Sequence, residues 1–252
     1  MAVPSLDVTV AGRAAGLTAL SHIAEPWKIA VAQAVRSVYV GPFINEPCAI
    51  DLTFNVDSAR MKDTAIYNLL KATIDGLSNV IFAGSPSGPR GQWSREDWWI
   101  TELSSHKRLT DLSPFVRIKI KSASVAYAGS PTTPLIEIFM PGSPPLWPGD
   151  SVGQQKVIEW RAALQRRIQI PDLLSNQSLT IDFQFIIEPA RFQTADLDNF
   201  CVPAAQAVVY AVFGHHSHAP RISDTHAIKV MARSENDIGV RVQIREKRNG
   251  GQ

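Results

Sequence analysis

Acidic side chains at short spacing mark the part of the chain that could do chemistry. Asp196 and Asp198 stand at positions i and i+2, directly before an apolar stretch with helical character. In extended chain, two such carboxylates project to the same side and can share one cation. Asp224 starts a predicted strand beyond the apolar stretch, and a helix running out with a strand running back would return it towards this pair. Three converging carboxylates predict a Mg²⁺ (or Mn²⁺) site that meets substrate phosphate.

A structural explanation of the same residues stays open. Asp198 or Asn199 can cap the following helix, Pro203 suits its first turn, and Asp224 can be a solvated loop acid. A metal enzyme built on these acids requires the carboxyl groups of Asp196, Asp198 and Asp224 within about 5 Å of one another, and a dispersed set would refute it. A zinc site is disfavoured because His215, His216, His218 and His226 lack the spacing of a four-ligand Cys/His site.

The elements that must position these acids occur twice in the chain. Segments of alternating apolar residues, the period of a strand, recur in the same order and at similar offsets. The matching segments are Leu6–Gly12 and Ile136–Gly142 at an offset of 130, Ile50–Phe54 and Ile181–Phe185 at 131, and Phe115–Ile120 and Gly239–Ile244 at 124. Trp27 and Trp160 open matching helical segments, 29–38 and 162–170. The pattern predicts an α+β fold built from two copies of one βαβαβ-type unit.

Bulk composition limits the class of protein. With 252 residues, 45% hydrophobic and 19% charged, the chain is expected to fold around a packed core. A formal charge of +2 and a pI near 8.6 neither demand nor exclude nucleic acid. The longest apolar stretch, 204–213, is too short for a membrane span, and two cysteines form no disulfide framework. Without a visible secretory signal we expect a cytoplasmic protein with no membrane partner. The copies are predicted at 1–122 and 135–248, joined by a Ser-, Thr-, Gly- and Pro-rich linker at 123–134.

Asp196-Leu197-Asp198-Asn199, followed by a helix and by the acidic Asp224 leading a strand, resembles the motif of the RusA-type Holliday junction resolvases. That motif is Asp-x-Asp-Asn-x-x-Lys, then a helix with Asp-Ala-Leu, then an Asp-Asp pair. Upstream, 140–145 and 159–161 are similar to the opening strand and first helix of that family.

The first copy resembles the same family through different residues. Asn68 and Lys71 fit Asn-x-x-Lys, Asp75 fits Asp-Ala-Leu, and Glu96-Asp97 fits the Asp-Asp pair. The two leading acids are missing there, because the offset of 131 places Ala65 and Tyr67 at their positions. In the second copy, the family lysine is replaced by Val202 and the helix acid by Gln206.

The resemblance implies a function and a set of residue roles. Members of the family are homodimers that cut four-way DNA junctions with Mg²⁺, so this chain is similar to such a dimer fused into one polypeptide. It implies a metal-dependent endodeoxyribonuclease of branched DNA, in recombination or repair, with one working site rather than two. The resemblance implies that Asp196, Asp198 and Asp224 bind the metal and take part in catalysis. It implies a catalytic role for Lys71 as well, which could replace the lost lysine. Asn68, Asp75 and Asp97 would form a degenerate first site, and Asn199, Arg221 and Lys229 would contact DNA. The alternative is a catalytically decayed DNA-binding or assembly protein that retains the resolvase fold.

Overall fold

The computed structural model describes residues 3, 5–86, 93–95, 97–123, 133–146, 151–168, 178–214 and 221–247. Among the sites named above, Glu96, most of the linker, and His215, His216 and His218 lie outside the described residues.

Each half of the chain has four long strands with helices between them. The first half consists of β1 (Leu6–Ala11), α1 (Ser21–Arg36), β2 (Cys48–Val56), α2 (Ser58–Asp63), a 3-10 helix (Ile66–Leu69), α3 (Leu70–Ile81), a short hairpin of β3 (Gly84–Pro86) and β4 (Trp93–Arg95), a 3-10 turn (Asp97–Trp99), β5 (Ile100–Leu109) and β6 (Phe115–Ser122). The second consists of β7 (Ile136–Pro141), α4 (Ser151–Arg167), β8 (Leu179–Ile187), α5 (Pro189–Phe192), α6 (Leu197–Phe213), β9 (Ile222–Met231), a 3-10 turn (Glu235–Asp237) and β10 (Gly239–Glu246).

Eight strands form one continuous mixed sheet in the order β1-β6-β2-β5-β9-β8-β10-β7. Within each half the first strand pairs antiparallel with the last, the last pairs antiparallel with the second, and the second pairs parallel with the third. The halves meet where β5 pairs antiparallel with β9. The fold is therefore α+β, and the sheet crosses the boundary between the two predicted copies.

The register of the pairs also recurs. Ile50 lies opposite Leu103 and Ile120, whereas Ile181 lies opposite Thr225 and Ile244. A register shift follows Cys48 in β2 and Leu179 in β8, which are 131 positions apart. Gly12 and Gly142, which follow β1 and β7, have φ of +116° and +99°, a conformation open to glycine because it has no Cβ.

Alternation along the strands separates an apolar face of the sheet from a polar one. Val8, Ile118 and Leu52 are buried neighbours on one face, and they belong to the same core as Val31 of α1 and Leu77 of α3. Strand positions in between carry charged or polar residues, such as the Asp7–Arg117 ion pair. The helices thus cover the apolar face, where both halves contribute to one hydrophobic core.

Three details of the sequence interpretation were wrong. Helices α1 and α4 begin before Trp27 and Trp160, so these tryptophans lie inside the helices. Helix α6 begins at Leu197, which puts Pro203 beyond the first turn, and Asp196 rather than Asp198 or Asn199 holds the N-cap position. None of the described helices is long and apolar enough to cross a membrane.

Candidate functional site

Two aspartates from opposite halves meet at the start of β5. Asp97 opens the 3-10 turn before β5, and Asp196 is the N-cap residue of α6. Their carboxyl groups form a hydrogen bond with each other, and Ser78 Oγ donates to Asp97 Oδ2 at 3.4 Å. Asp97 is 8% exposed. The sequence had assigned Asp97 to a degenerate first site, whereas it joins the acids of the second half.

Asp198 and Lys71 form a second link between the halves. Lys71 Nζ lies 3.2 Å from Asp198 Oδ2 and 3.0 Å from Asp75 Oδ1, one turn along α3. Lys28 of α1 pairs with the other oxygen of Asp75 at 3.2 Å. Lys71 of the first half therefore reaches Asp198 of the second half, an approach that the sequence alone could not show.

Burial and neighbouring charge perturb every acid of this site, which we call the composite site (Lys71, Asp97, Asp196 and Asp198). Burial, with the nearby charge of Asp196, raises the pKa of Asp97 to about 7. Burial also raises the pKa values of Asp196 and Asp198, against the opposing effect of Lys71. Burial opposes the charge on Lys71, but Asp198 and Asp75 outweigh it and raise the pKa of the amine above its usual range. Lys71 therefore stays protonated, while Asp97 gains or loses its proton near neutral pH.

Asp198 is the most buried acid of the composite site. It is 2% exposed, and apart from the ammonium of Lys71 no described residue offers a donor to its carboxyl oxygens. Buried polar atoms usually have such partners. Its position in the first turn of α6 places it where the helix dipole favours negative charge. The ammonium of Lys71 is thus the main compensation that the described residues offer Asp198.

Asp224 does not join Asp196 and Asp198, so the predicted group of three is wrong. Asp224 accepts bonds from His106 Nδ1 and Arg108 at 2.7 Å, Ser223 Oγ at 2.8 Å and Lys247 at 3.1 Å. Burial opposes its charge, but these partners hold the pKa of Asp224 well below its usual range. Asp224 lies five positions, about 17 Å of strand, from Lys229, whose ammonium binds the backbone next to Asp97 and Asp196. The physical reason is its position inside β9, opposite His106, rather than ahead of the strand as Asp97 lies ahead of β5.

The predicted DNA contacts have other partners. Lys229 is 4% exposed and donates to the backbone oxygens of Trp98 and Ala195, so its assignment as a DNA contact is wrong. Asn199 donates from its amide to Asp196 Oδ2 at 3.0 Å, and it thereby orients that carboxylate. Arg221 lies over the ring of Phe213, 5.9 Å from the centroid. Asn68 is half-buried in the 3-10 helix before α3.

Across the β5–β9 junction, the described residues at the matching positions are not acidic. Ala65 and Tyr67 are each 3% exposed and occupy the positions that match Asp196 and Asp198, while Val202 matches Lys71. Burial raises the pKa of Tyr67 to about 12. Where Lys28 binds Asp75 in the first half, the second half has a hydrogen bond from Arg161 to Gln206 at 2.5 Å. The described positions are thus charged on one side of the junction and apolar or neutral on the other.

The donor chemistry of the composite site suits a hard divalent cation, but its present geometry does not complete a metal site. Three carboxylates gather beside Lys71, and apart from that ammonium the oxygens of Asp198 have no donor among the described residues. Oxygen ligands of this kind are what Mg²⁺ and Mn²⁺ prefer. Among the described residues, no group of three or more His, Cys, Asp or Glu side chains is arranged to hold one ion.

Comparisons with known proteins add little. No family model matches the chain, and no curated protein matches it. Among solved structures, cyanuric acid hydrolase from A. caulinodans shows 12% identity over 96% of this chain and 71% of that protein, with a TM-score of 0.24. A similarity this low supports no conclusion about fold or function.

Proposed function

We propose that the protein is a metal-dependent endodeoxyribonuclease that resembles RusA-type Holliday junction resolvases and has a single composite active site. The observation that carries this proposal is the meeting of Lys71 and Asp97 of the first half with Asp196 and Asp198 of the second. These are the residue types that the resemblance implies: both acids of Asp-x-Asp, the lysine, and the second acid of Asp-Asp. Neither half contains all four, yet they lie together in the folded chain.

A tandem duplication explains how such a site could arise. We infer two RusA-like repeats, 1–122 and 135–248, that form a pseudo-dimer within one chain. Identical strand order, pairing directions and register in the two halves support this inference. The offset between β5 and β9 is 122, which matches Asp224 to Glu102 and matches Asp97 to Ala219, outside the described residues. On this alignment, the second repeat has lost its third acid as well as its lysine, and the first repeat supplies both.

Asp97, Asp196 and Asp198 are the residues that would hold Mg²⁺ or Mn²⁺. When bound, the ion would act as a Lewis acid on a phosphodiester and lower the pKa of an attacking water. The protein's own contribution is to keep three carboxylates together in a buried place and to orient Asp196 through Asn199. Lys71 is kept protonated by Asp198 and Asp75, so its charge can face the phosphate of a bound strand. Because Asp97 must give up its proton to become a ligand, metal affinity should rise as pH increases through about 7.

The test is cleavage of four-way junction, flap and linear DNA with Mg²⁺ or Mn²⁺, by wild type and by single variants. Asp97→Asn, Asp196→Asn and Asp198→Asn should each lower the rate at least about 100-fold, since each removes a charged ligand. Asp224→Asn is the discriminating comparison, with thermal unfolding as the check that it is folded. A folded Asp224→Asn variant that loses activity while Asp97→Asn retains it would overturn the assignment of Asp97.

A single site also implies a single cut. The position across the junction is filled by Ala65, Tyr67 and Val202, which cannot bind metal or phosphate as the acids and lysine would. We therefore expect the protein to nick one strand of a four-way junction per binding event. Paired symmetric cuts by one chain, scored on a junction labelled in two strands, would contradict this expectation.

The second candidate function is a decayed DNA-binding or assembly protein. It is favoured by the absence, among the described residues, of a completed three-ligand metal group, and by the apolar replacement of one site. The same assay separates the two functions. Binding of branched DNA without cleavage in either metal, at several pH values above 7, would favour the decayed protein.

A further inference from the structure

Lys229 is a buried lysine that contacts both acid-bearing segments of the composite site. It lies in β9 and is 4% exposed. Its ammonium donates to the backbone oxygen of Ala195 at 2.9 Å and to that of Trp98 at 2.5 Å. Ala195 directly precedes Asp196, and Trp98 directly follows Asp97. One side chain therefore connects the two backbone segments whose carboxyl groups must stay together.

A lysine at the matching position of the first half serves as a natural comparison. Lys107 of β5, 122 positions before Lys229, is fully buried. Its ammonium donates to the backbone oxygens of Thr64 at 2.8 Å and Met61 at 3.0 Å. Thr64 precedes Ala65 just as Ala195 precedes Asp196. The same type of bond is thus present in both halves, but in the first half it fixes a position without an acid.

Burial of an ammonium is unfavourable unless it is hydrogen-bonded, so the carbonyl oxygens that accept from Lys229 are held close to it. Burial lowers the pKa of Lys229 to about 8 and has the same effect on Lys107. Lys229 lies 5.0 Å from the ring centroid of Phe192, and the charges of Asp196 and Asp97 favour its protonated form. Hydrogen bonds from a charged donor in such surroundings are stronger than those between neutral groups. Displacing either carbonyl would leave a buried charge with fewer partners, which resists separation of the two segments.

We propose that Lys229 is a positioning residue that holds the segments of Asp97 and Asp196 together across the two halves of the chain, and thereby assembles the composite site. The inference that Lys229 holds the two backbone segments together depends only on the geometry. The inference that it supports cleavage also rests on the proposed function. The described hydrogen bonds of Lys229 go to backbone oxygens and to neither carboxyl group, so it acts through the positions of Trp98 and Ala195. Lys107 makes the same kind of stabilising bond within the first half, but the backbone that it holds carries none of the acids of the composite site.

The experiment compares Lys229→Met with Lys107→Met in the full chain. Both should lower the unfolding temperature, because each removes a buried charge-assisted bond. Amide hydrogen exchange at 97–100 and 195–199 should become about 10- to 100-fold faster in Lys229→Met. In Lys107→Met the faster exchange should fall at 61–66 instead. Junction cleavage should fall at least about 100-fold in Lys229→Met and by less than about 3-fold in Lys107→Met.

The outcomes separate this inference from the proposed function. Unchanged exchange at 97–100 and 195–199 in Lys229→Met would refute the positioning role, whatever the cleavage result. Wild type without nuclease activity would refute the proposed function and leave the exchange result to decide the role of Lys229. Equal loss of cleavage in the two variants would also contradict the inference. If Lys229→Met does not fold, Lys229→Gln retains N–H donors on a shorter side chain, and it should accelerate exchange at the same two segments to a smaller extent.

Discussion

The ion pair between Lys71 and Asp198 joins the two halves, and Lys71→Met is the perturbation that tests it. Methionine has a similar length and no charge, so the change removes the cation and keeps most of the packing. Asp198 is 2% exposed, and no described residue other than Lys71 offers it a donor, so without Lys71 it would be left as an uncompensated buried carboxylate. Breaking one side of a buried pair in this way is strongly destabilising.

The magnitude follows from the burial of the two partners. Loss of one partner from a buried pair costs about 3–5 kcal/mol, and because Lys71 is 31% exposed we expect about 3 kcal/mol. Asp198→Asn should cost only about 1 kcal/mol, since Lys71 keeps its partner Asp75 at 3.0 Å. The double variant should be more stable than Lys71→Met alone, because no buried charge remains. The resulting coupling energy should be at least about 1.5 kcal/mol.

The pH dependence gives a second readout. Without Lys71, the folded-state pKa of Asp198 lies further above its unfolded value, so the folded chain binds the proton more tightly than the unfolded chain. The contribution of Asp198 to the free energy of unfolding is then fully present at pH values below its unfolded pKa. It is lost as pH rises, by up to about 1.4 kcal/mol per pH unit. The deficit of Lys71→Met relative to wild type should therefore be larger at pH 8 than at pH 5.

The assay is urea unfolding followed by tryptophan fluorescence, with wild type, both single variants and the double variant at each pH. Arg117→Met provides a matched control, because it removes a solvent-exposed pair and should change stability little. Additive effects of the two single variants, within about 0.5 kcal/mol, would refute the idea that this pair couples the halves.

Three further predictions concern other parts of the chain. Hydrogen bonds to Asp224 and Asp51 raise the pKa of His106 to about 9. The stability that protonated His106 adds to the fold is therefore fully present below about pH 6.5 and is lost as pH rises to 9. His106→Gln should flatten the decline of the urea midpoint in that window; an unchanged decline would contradict the assignment. Tyr67→Asp should lower the free energy of unfolding in urea by about 3 kcal/mol or more, because it buries an unpaired carboxylate. Adding Val202→Lys should restore part of this loss if the two positions face each other as Asp198 and Lys71 do. No recovery in the double variant would show that they do not. A Cβ at Gly76 would lie 2.8 Å from a backbone oxygen of α1, so Gly76→Ala should lower stability by about 1–3 kcal/mol in thermal unfolding, whereas Gly16→Ala, with no atom within 4 Å, should be nearly neutral. Equal effects of the two alanines would show that α1 and α3 can separate.

Much of the sheet could be predicted from the sequence because its strands have a clear period. Strands β1, β2 and β6, and their counterparts β7, β8 and β10, alternate apolar and polar residues, and each lies where the alternation indicated it. The central strand β5 carried a weaker signal. Its inward positions after Ile100 include Ser105 and Lys107, which are buried although they are polar. Their partners, Thr225 and the carbonyls before Ala65, come from distant parts of the chain and could not be read from local pattern.

The sequence by itself determined which acids and which lysine the chain possesses, and that they are divided unequally between its halves. The spacing of two residues keeps Asp196 and Asp198 close along the chain, although Asp198 lies in the first turn of α6 and not in the extended chain that the sequence interpretation assumed. Only the tertiary structure decided which third acid joins them. The choice between Asp97 and Asp224 depends on how β5 pairs with β9, since that register brings the turn before β5 to the end of β9 and holds Asp224 opposite His106. Strand pairing across 120 residues is set by packing of the whole core, and no local pattern encodes it.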